Sequence, residues 1–147
     1  MIYIASDHAG FELKNLLVEY LKAKGLEVED IGASLYDKDD DYPDFIYPCA
    51  VKVAASDKNR GIVIGASGQG EALVANKAKG ARAALYYGGN LDIIKLSRQH
   101  NNSNILSLGA RFVSPNEAKQ AVDLWLATEF EGGRHERRIK KISKLEN

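Results

Sequence analysis

Short β-rich runs alternate with amphipathic helical stretches along almost the whole chain, and no other feature constrains the fold as much. "IYIAS" (2–6) reads as a compact apolar strand. In "FELKNLLVEYLKAKG", Phe11, Leu13, Leu16, Leu17, Tyr20 and Leu21 fall on one helical stripe, with Gly25 as the stop. "LEVEDIG" (26–32) reads as a second strand and "YDKDDDYPD" as a solvated acidic loop. A helix is predicted over 45–56, with its regular part beginning near Tyr47 because of Pro48. "GIVIG" (61–65) is the third strand, with a helix from about Gly70 to Ala78. "ARAALYY" (81–87) is the fourth, followed by a helix over 90–100, and "NILSLGA" (104–110) is the fifth. Ser114, Pro115 and Glu117 then form a capping box that opens a further helix, and the basic tail "RHERRIKKISKL" is a last amphipathic one. Strands separated by helices predict one α/β domain over 1–147: a doubly wound, Rossmann-like, five-stranded parallel sheet with helices on both faces. Ligands in such sheets sit at the carboxyl ends of the strands, so the chemistry belongs on the loops there.

Charge and composition exclude several classes of function. Lys+Arg and Asp+Glu balance at 20 each, so no global field calls for nucleic acid or an anionic membrane. The charge is uneven: residues 27–44 carry eight acids against Lys38 alone, and 134–147 carry six Lys/Arg against Glu136 and Glu146. No stretch approaches the length of a membrane span, and "MIYIASDHAG" lacks the basic start of a signal peptide. The expected location is therefore cytoplasmic. The one cysteine, Cys49, has no partner for an intrachain disulfide.

Four loops and the tail carry residues capable of chemistry. "SDHAG" offers Asp7 and His8, an acid–imidazole pair that has a plain alternative as a helix cap and a surface residue. "GASGQGE" turns on Gly65, Gly68 and Gly70, so its backbone N–H groups can hold a phosphate or a transient oxyanion. A dinucleotide fits it poorly, because that fingerprint follows the first strand and needs an acid about 20 residues on. Here the loop follows the third strand and ends on Glu71. "SRQHNNSN" presents His100 and Asn101, and "GARF" presents Arg111. In "GGRHERR", Arg134 and Arg138 are four apart and share one helix face, as two prongs on a phosphate would. One carboxylate, several imidazoles, an N–H loop and an arginine clamp fit proton abstraction beside a carbonyl on a small phosphorylated substrate. That chemistry requires no metal and no cofactor.

"SDHAGFELK", "DYPD", "GxxGxG…ANK", "RQHNN", "LGAR" and "WxxTxFEGGRHxRR" occur in the order found in the RpiB/LacAB family of sugar-phosphate isomerases. The chain resembles that family over residues 1 to about 142, and within it the branch acting on ribose 5-phosphate. The branch isomerising galactose 6-phosphate generally lacks "RQHNN" and "GGRHxRR". The resemblance implies interconversion of ribose 5-phosphate and ribulose 5-phosphate through a cis-enediolate, without a cofactor. It also implies a homodimer, in some members a homotetramer, whose active sites draw on both subunits, with the 131–147 helix reaching the partner.

By the same resemblance, Asp7 and His100 open the furanose ring, while His8, Arg134 and Arg138 bind phosphate with help from Arg111. Tyr42 lines the site. Asn101 joins the oxyanion hole of the 66–70 loop, where Gly68 and Gly70 lie, and Ser67 stands close to the reacting oxygens. His135 enters too, from the same chain or from the partner. Many members read "CGTGxG", with the cysteine as C–H base; this chain has Gly65 there. A second subgroup reads "GSGxGE" and uses the glutamate, which assigns the base to Glu71 and leaves Cys49 to packing. The alternatives are the same mechanism on allose 6-phosphate, galactose 6-phosphate or a tetrulose phosphate, or a non-catalytic phosphosugar sensor.

Overall fold

The computed structural model describes residues 1–146, so Asn147, the last residue of the predicted 131–147 segment, lies outside the described residues. The elements follow the predicted order: β1 (Ile2–Ser6), a single 3-10 turn (His8–Gly10), α1 (Phe11–Ala23), β2 (Val28–Gly32), α2 (Pro43–Ala54), β3 (Arg60–Gly65), α3 (Gln69–Ala75), β4 (Ala83–Tyr86), α4 (Asp92–Gln99), β5 (Ile105–Gly109), α5 (Pro115–Ala127) and α6 (Arg134–Lys144). All strand pairs are parallel, in the order β2-β1-β3-β5-β4.

Alternation along the strands builds two cores. Ile2, Ile4, Ile62, Ile64, Leu106 and Leu108 point to one face, where α1, α4 and α5 close over them with Leu17, Leu21, Ile94, Val122 and Trp125. Ala5, Val63 and Ile105 point to the other, under α2 and α3. The central strands β3 and β5 are almost wholly buried, as expected for a sheet covered on both sides. Among the described residues no helix is long and apolar enough to cross a membrane.

Most boundaries shift by one to three residues from the sequence reading, α3 for example ending at Ala75 and not Ala78, and the start of α2 shifts furthest. Helix α2 begins at Pro43, not near Tyr47, and runs through Pro48. Pro43 occupies the first turn, where the missing N–H costs nothing. Pro48 frees only the carbonyl of Asp44, and both residues are solvent-exposed, so water can take up the lost bond. Ser114 caps α5 as predicted, its Oγ accepting from the Glu117 N–H at 3.1 Å.

The strand order also places a switch point. From β1 the chain steps to β2 on one side, while β3 lies on the other, and the helices that follow β1 and β3 pack on opposite faces. A crevice therefore opens between the carboxyl ends of these two strands.

Candidate active site

A cavity of about 340 Å³ occupies that crevice, lined by Asp7, His8, Tyr42, Ser67, Gly70, Glu71 and Arg111, among others. Asp7 and His8 leave the end of β1, where the Asp7 carboxylate accepts from the Ala9 N–H at 3.0 Å and starts the 3-10 turn. Arg111 follows β5, and its N–H donates to the Ala66 carbonyl at 3.0 Å. Tyr42 comes from the start of α2 and lays its phenol against Gly70, where a Cβ would meet the ring and hydroxyl at 2.8 Å.

The loop after β3 is held by its carbonyls. Gly65 O accepts from Ala110 N–H at 2.8 Å, and Gly68 O accepts from the Ser107 hydroxyl at 2.6 Å and from Ala72 N–H at 3.0 Å. The N–H groups of Ser67 and Gly68, by contrast, donate no described hydrogen bond. Gly68 has φ +80°, the left-handed conformation that reverses the chain into α3. The loop thus presents donors on a framework fixed from behind, as stabilising a developing oxyanion requires.

Glu71, in the first turn of α3, is only 4% exposed. Its carboxylate stands in the volume that a Cβ on residue 65 would fill. Only a glycine at 65 leaves that space. Burial, with Asp7 adding to it, pushes the Glu71 carboxyl above the ordinary carboxylate range, opposed by a hydrogen bond from its own backbone. A carboxylate of raised pKa is a stronger base than a solvated one.

The remaining candidates are elsewhere. His100 and Asn101 precede β5, and Arg134 and His135 lie beyond the end of α5; both segments are at the amino edge of the sheet. That edge is separated from Glu71 by the length of a five-residue strand, roughly 16 Å. There the His100 and His135 rings stack, centroids 4.1 Å apart and planes 12° from parallel. Burial first, then the neighbouring His100 and Arg134, push His135 below the usual imidazole pKa. Arg134 and Arg138 are exposed on α6. One chain therefore gathers two clusters at opposite edges: Asp7, His8, Tyr42, Ser67, Gly70, Glu71 and Arg111 at one, His100, Asn101, Arg134 and His135 at the other. The first cluster lies at the carboxyl edge, where such sheets hold ligands, and the second does not.

The second cluster has a buried anchor that the sequence reading overlooked. Arg98 is 3% exposed; Nε donates to Thr128 O at 3.1 Å, and Nη1 donates to Asn102 Oδ1 at 3.0 Å and Ser103 O at 2.5 Å. It ties the His100 loop to the end of α5, and burial brings its pKa down to about 10. The Trp125 indole N–H and the Ser97 hydroxyl both meet Ser103 Oγ, at 2.9 and 3.0 Å, and support the same loop. The available signal was spacing: Arg98 falls four residues after Ile94, on the apolar side of its helix.

Two groups, Asp7–His8–Asp40 and His100–Glu131–His135, each bring three donor atoms within 4.8 Å of one another. In the first, a 2.6 Å ion pair between His8 and Asp40 already engages two of the three. Cys49, in contrast, is fully buried in α2, and desolvation pushes its thiol up to about 12. Iodoacetamide should therefore leave the native protein active and unmodified at neutral pH; rapid inactivation prevented by substrate would contradict the packing role.

Residues 2–142 match the family model described as Ribose/Galactose Isomerase. The probable ribose-5-phosphate isomerase B of Mycoplasma genitalium is 47% identical over 146 residues, covering 99% of this chain and 95% of that protein. The ribose-5-phosphate isomerase B of Mycobacterium leprae is 40% identical over 146 residues, covering 99% and 89%. Among solved structures, the Mycoplasma genitalium enzyme with bound ribulose-5-phosphate superposes with a TM-score of 0.94, covering 99% of this chain and 95% of that one. The parallel sheet, the crevice with its acid and N–H loop, and these full-length matches together establish that the chain belongs to the ribose/galactose isomerase family.

Proposed function

We propose that this protein interconverts ribose 5-phosphate and ribulose 5-phosphate, with Glu71 as the C–H base. The observation that carries the reading is the Glu71 carboxylate: buried, raised in pKa, and at the mouth of a loop with free N–H donors. The relative crystallised with ribulose-5-phosphate supports the choice of substrate.

On the open-chain aldose, Glu71 takes the proton from C2, and the electrons of that C–H bond move toward C1. The aldehyde oxygen becomes an enediolate oxygen, received by the 66–70 N–H groups with Ser67 nearby. The carboxylic acid then returns its proton to C1 while the O2 proton passes to O1, giving the C2 ketone and the C1 alcohol. The net reaction moves two hydrogens and consumes nothing. Asp7, on the same crevice, and His100 serve the opening of the furanose ring; His8 and Arg111 take the phosphate at this end of the cavity.

Two separated clusters support a site completed by a second copy of the chain, whose His100, Asn101, Arg134, His135 and Arg138 face the Glu71 crevice. Helix α6 suits this arrangement: His135 is its one buried residue among those described, and Ile142 and Leu145 are 49% and 84% exposed. A coupled assay offering ribose 5-phosphate, allose 6-phosphate and erythrulose 4-phosphate tests the substrate. Ribose 5-phosphate is expected to give the highest kcat/KM. Preference for a six- or four-carbon phosphosugar would reassign the substrate, and no turnover of any would favour a sensor.

A further inference from the structure

The acidic segment 37–41 has no place in the chemistry above, yet one of its residues reaches the crevice. Asp40 Oδ1 accepts twice from His8, from the backbone N–H at 3.1 Å and from ring Nδ1 at 2.6 Å. The Asp40 side chain is 8% exposed, and its second oxygen is buried with no described hydrogen-bond partner. A buried, unpaired carboxylate oxygen costs stability, so the folding of this loop does not account for the arrangement. Tyr36, immediately before that segment, stands edge-on to the His8 ring with centroids 6.2 Å apart.

With Nδ1 against a carboxylate, the proton sits on Nδ1, and Nε2 is left without a described hydrogen bond. His8 lines the cavity together with Ser67, Glu71 and Arg111. The charged groups around its ring are Asp40, Asp7 and Arg111; the Asp40 hydrogen bond, the largest influence, raises its pKa, while Arg111 opposes it. A phosphate dianion is best held by charged donors of fixed direction, and an imidazole near neutrality meets that need only when a partner sets its tautomer and charge.

We propose that Asp40 is a positioning residue for phosphate capture: it accepts from His8 Nδ1–H and holds the ring as the doubly protonated imidazolium, so that Nε2–H is the donor offered to a sugar-phosphate monoester. Asp40 does not touch the anion, which its own charge would repel. The proposal rests on the reading of His8 as a phosphate ligand.

The test uses the full-length enzyme with ribose 5-phosphate as substrate and inorganic phosphate as competitive inhibitor. In Asp40→Asn, KM and the phosphate inhibition constant are each expected to rise about tenfold, with kcat within about twofold. The ¹⁵N resonances of His8, one of three histidines, should move away from the doubly protonated pattern. His8→Ala should weaken phosphate inhibition at least as much, and adding Asp40→Asn to it should change nothing further. If His8→Ala leaves phosphate inhibition intact, the reading of His8 as a ligand fails. If His8→Ala weakens it but Asp40→Asn is silent, or acts equally with and without the imidazole, the proposal alone fails. Should Asp40→Asn melt early, Asp40→Ser is read by the same criteria.

Discussion

Glu71→Gln is expected to lower kcat for ribose 5-phosphate by roughly a thousandfold, because it removes the group proposed to take the C2 proton. Inhibition by inorganic phosphate should be almost unchanged, since the proposed phosphate ligands His8 and Arg111 are left in place. Folding should not suffer. The Glu71 carboxyl is raised in pKa mainly by burial, so its ionised form is disfavoured in the folded state. An acid with a raised folded pKa loses its proton first in the unfolded chain; stability therefore falls as pH climbs through that window, and the penalty is complete above the folded pKa. A neutral glutamine escapes it, and thermal melting at pH 7 should be equal or slightly higher. The same shift sets the wild-type pH profile: kcat/KM should fall on the acid side with a pKa above 4.5, displaced upward from a solvated carboxylate. A Glu71→Gln variant with near-wild-type kcat would remove the base assignment.

The second large effect is recovery rather than loss. Glu71→Gln and His100→Ala should each be nearly inactive alone, because each disables one of the two clusters at opposite edges of the sheet. If a site takes Glu71 from one subunit and His100 from its partner, a mixed dimer contains one site with both defects and one with neither. Random assortment makes half the dimers mixed, so about a quarter of wild-type activity should return after co-refolding. Pairing Glu71→Gln with Asp7→Asn, both from the first cluster, should return none. Equal recovery from both pairs, or from neither, would count against a site shared in this way.

Local pattern carried much of this structure. The stripe of Leu13, Leu17 and Leu21, the Ser114 cap and the apolar run at 61–65 are local features, and each element formed near its predicted place. Helix α2 was misread because Pro48 was taken as a start, when its exposed position lets water replace the lost bond. Strand order is non-local: the pattern places "RQHNN" just before β5 but does not reveal that β5 lies between β3 and β4 in the sheet. Spacing puts Arg98 on the apolar side of its helix, but an arginine there reads as solvated until its acceptors are known. Asp40 was hidden for a similar reason. Among several acids in one loop, only the tertiary fold singles out the one that meets His8, 32 residues away.

Gly65 bears on how this chemistry changes over generations. Because the Glu71 carboxylate fills the space where another residue at 65 would begin its side chain, the two positions cannot be altered independently. A mutation that adds a thiol at 65 evicts the acid, and one that removes the acid leaves no base behind. With Glu71 as the proposed base, its identity is a joint property of two sites with strong epistasis between them. A lineage passing between glutamate and cysteine chemistry has to cross a poorly active intermediate or change both codons together. The same exclusion gives a basis for selectivity: an electrophile shaped for a thiol in this crevice meets a carboxylate oxygen here instead.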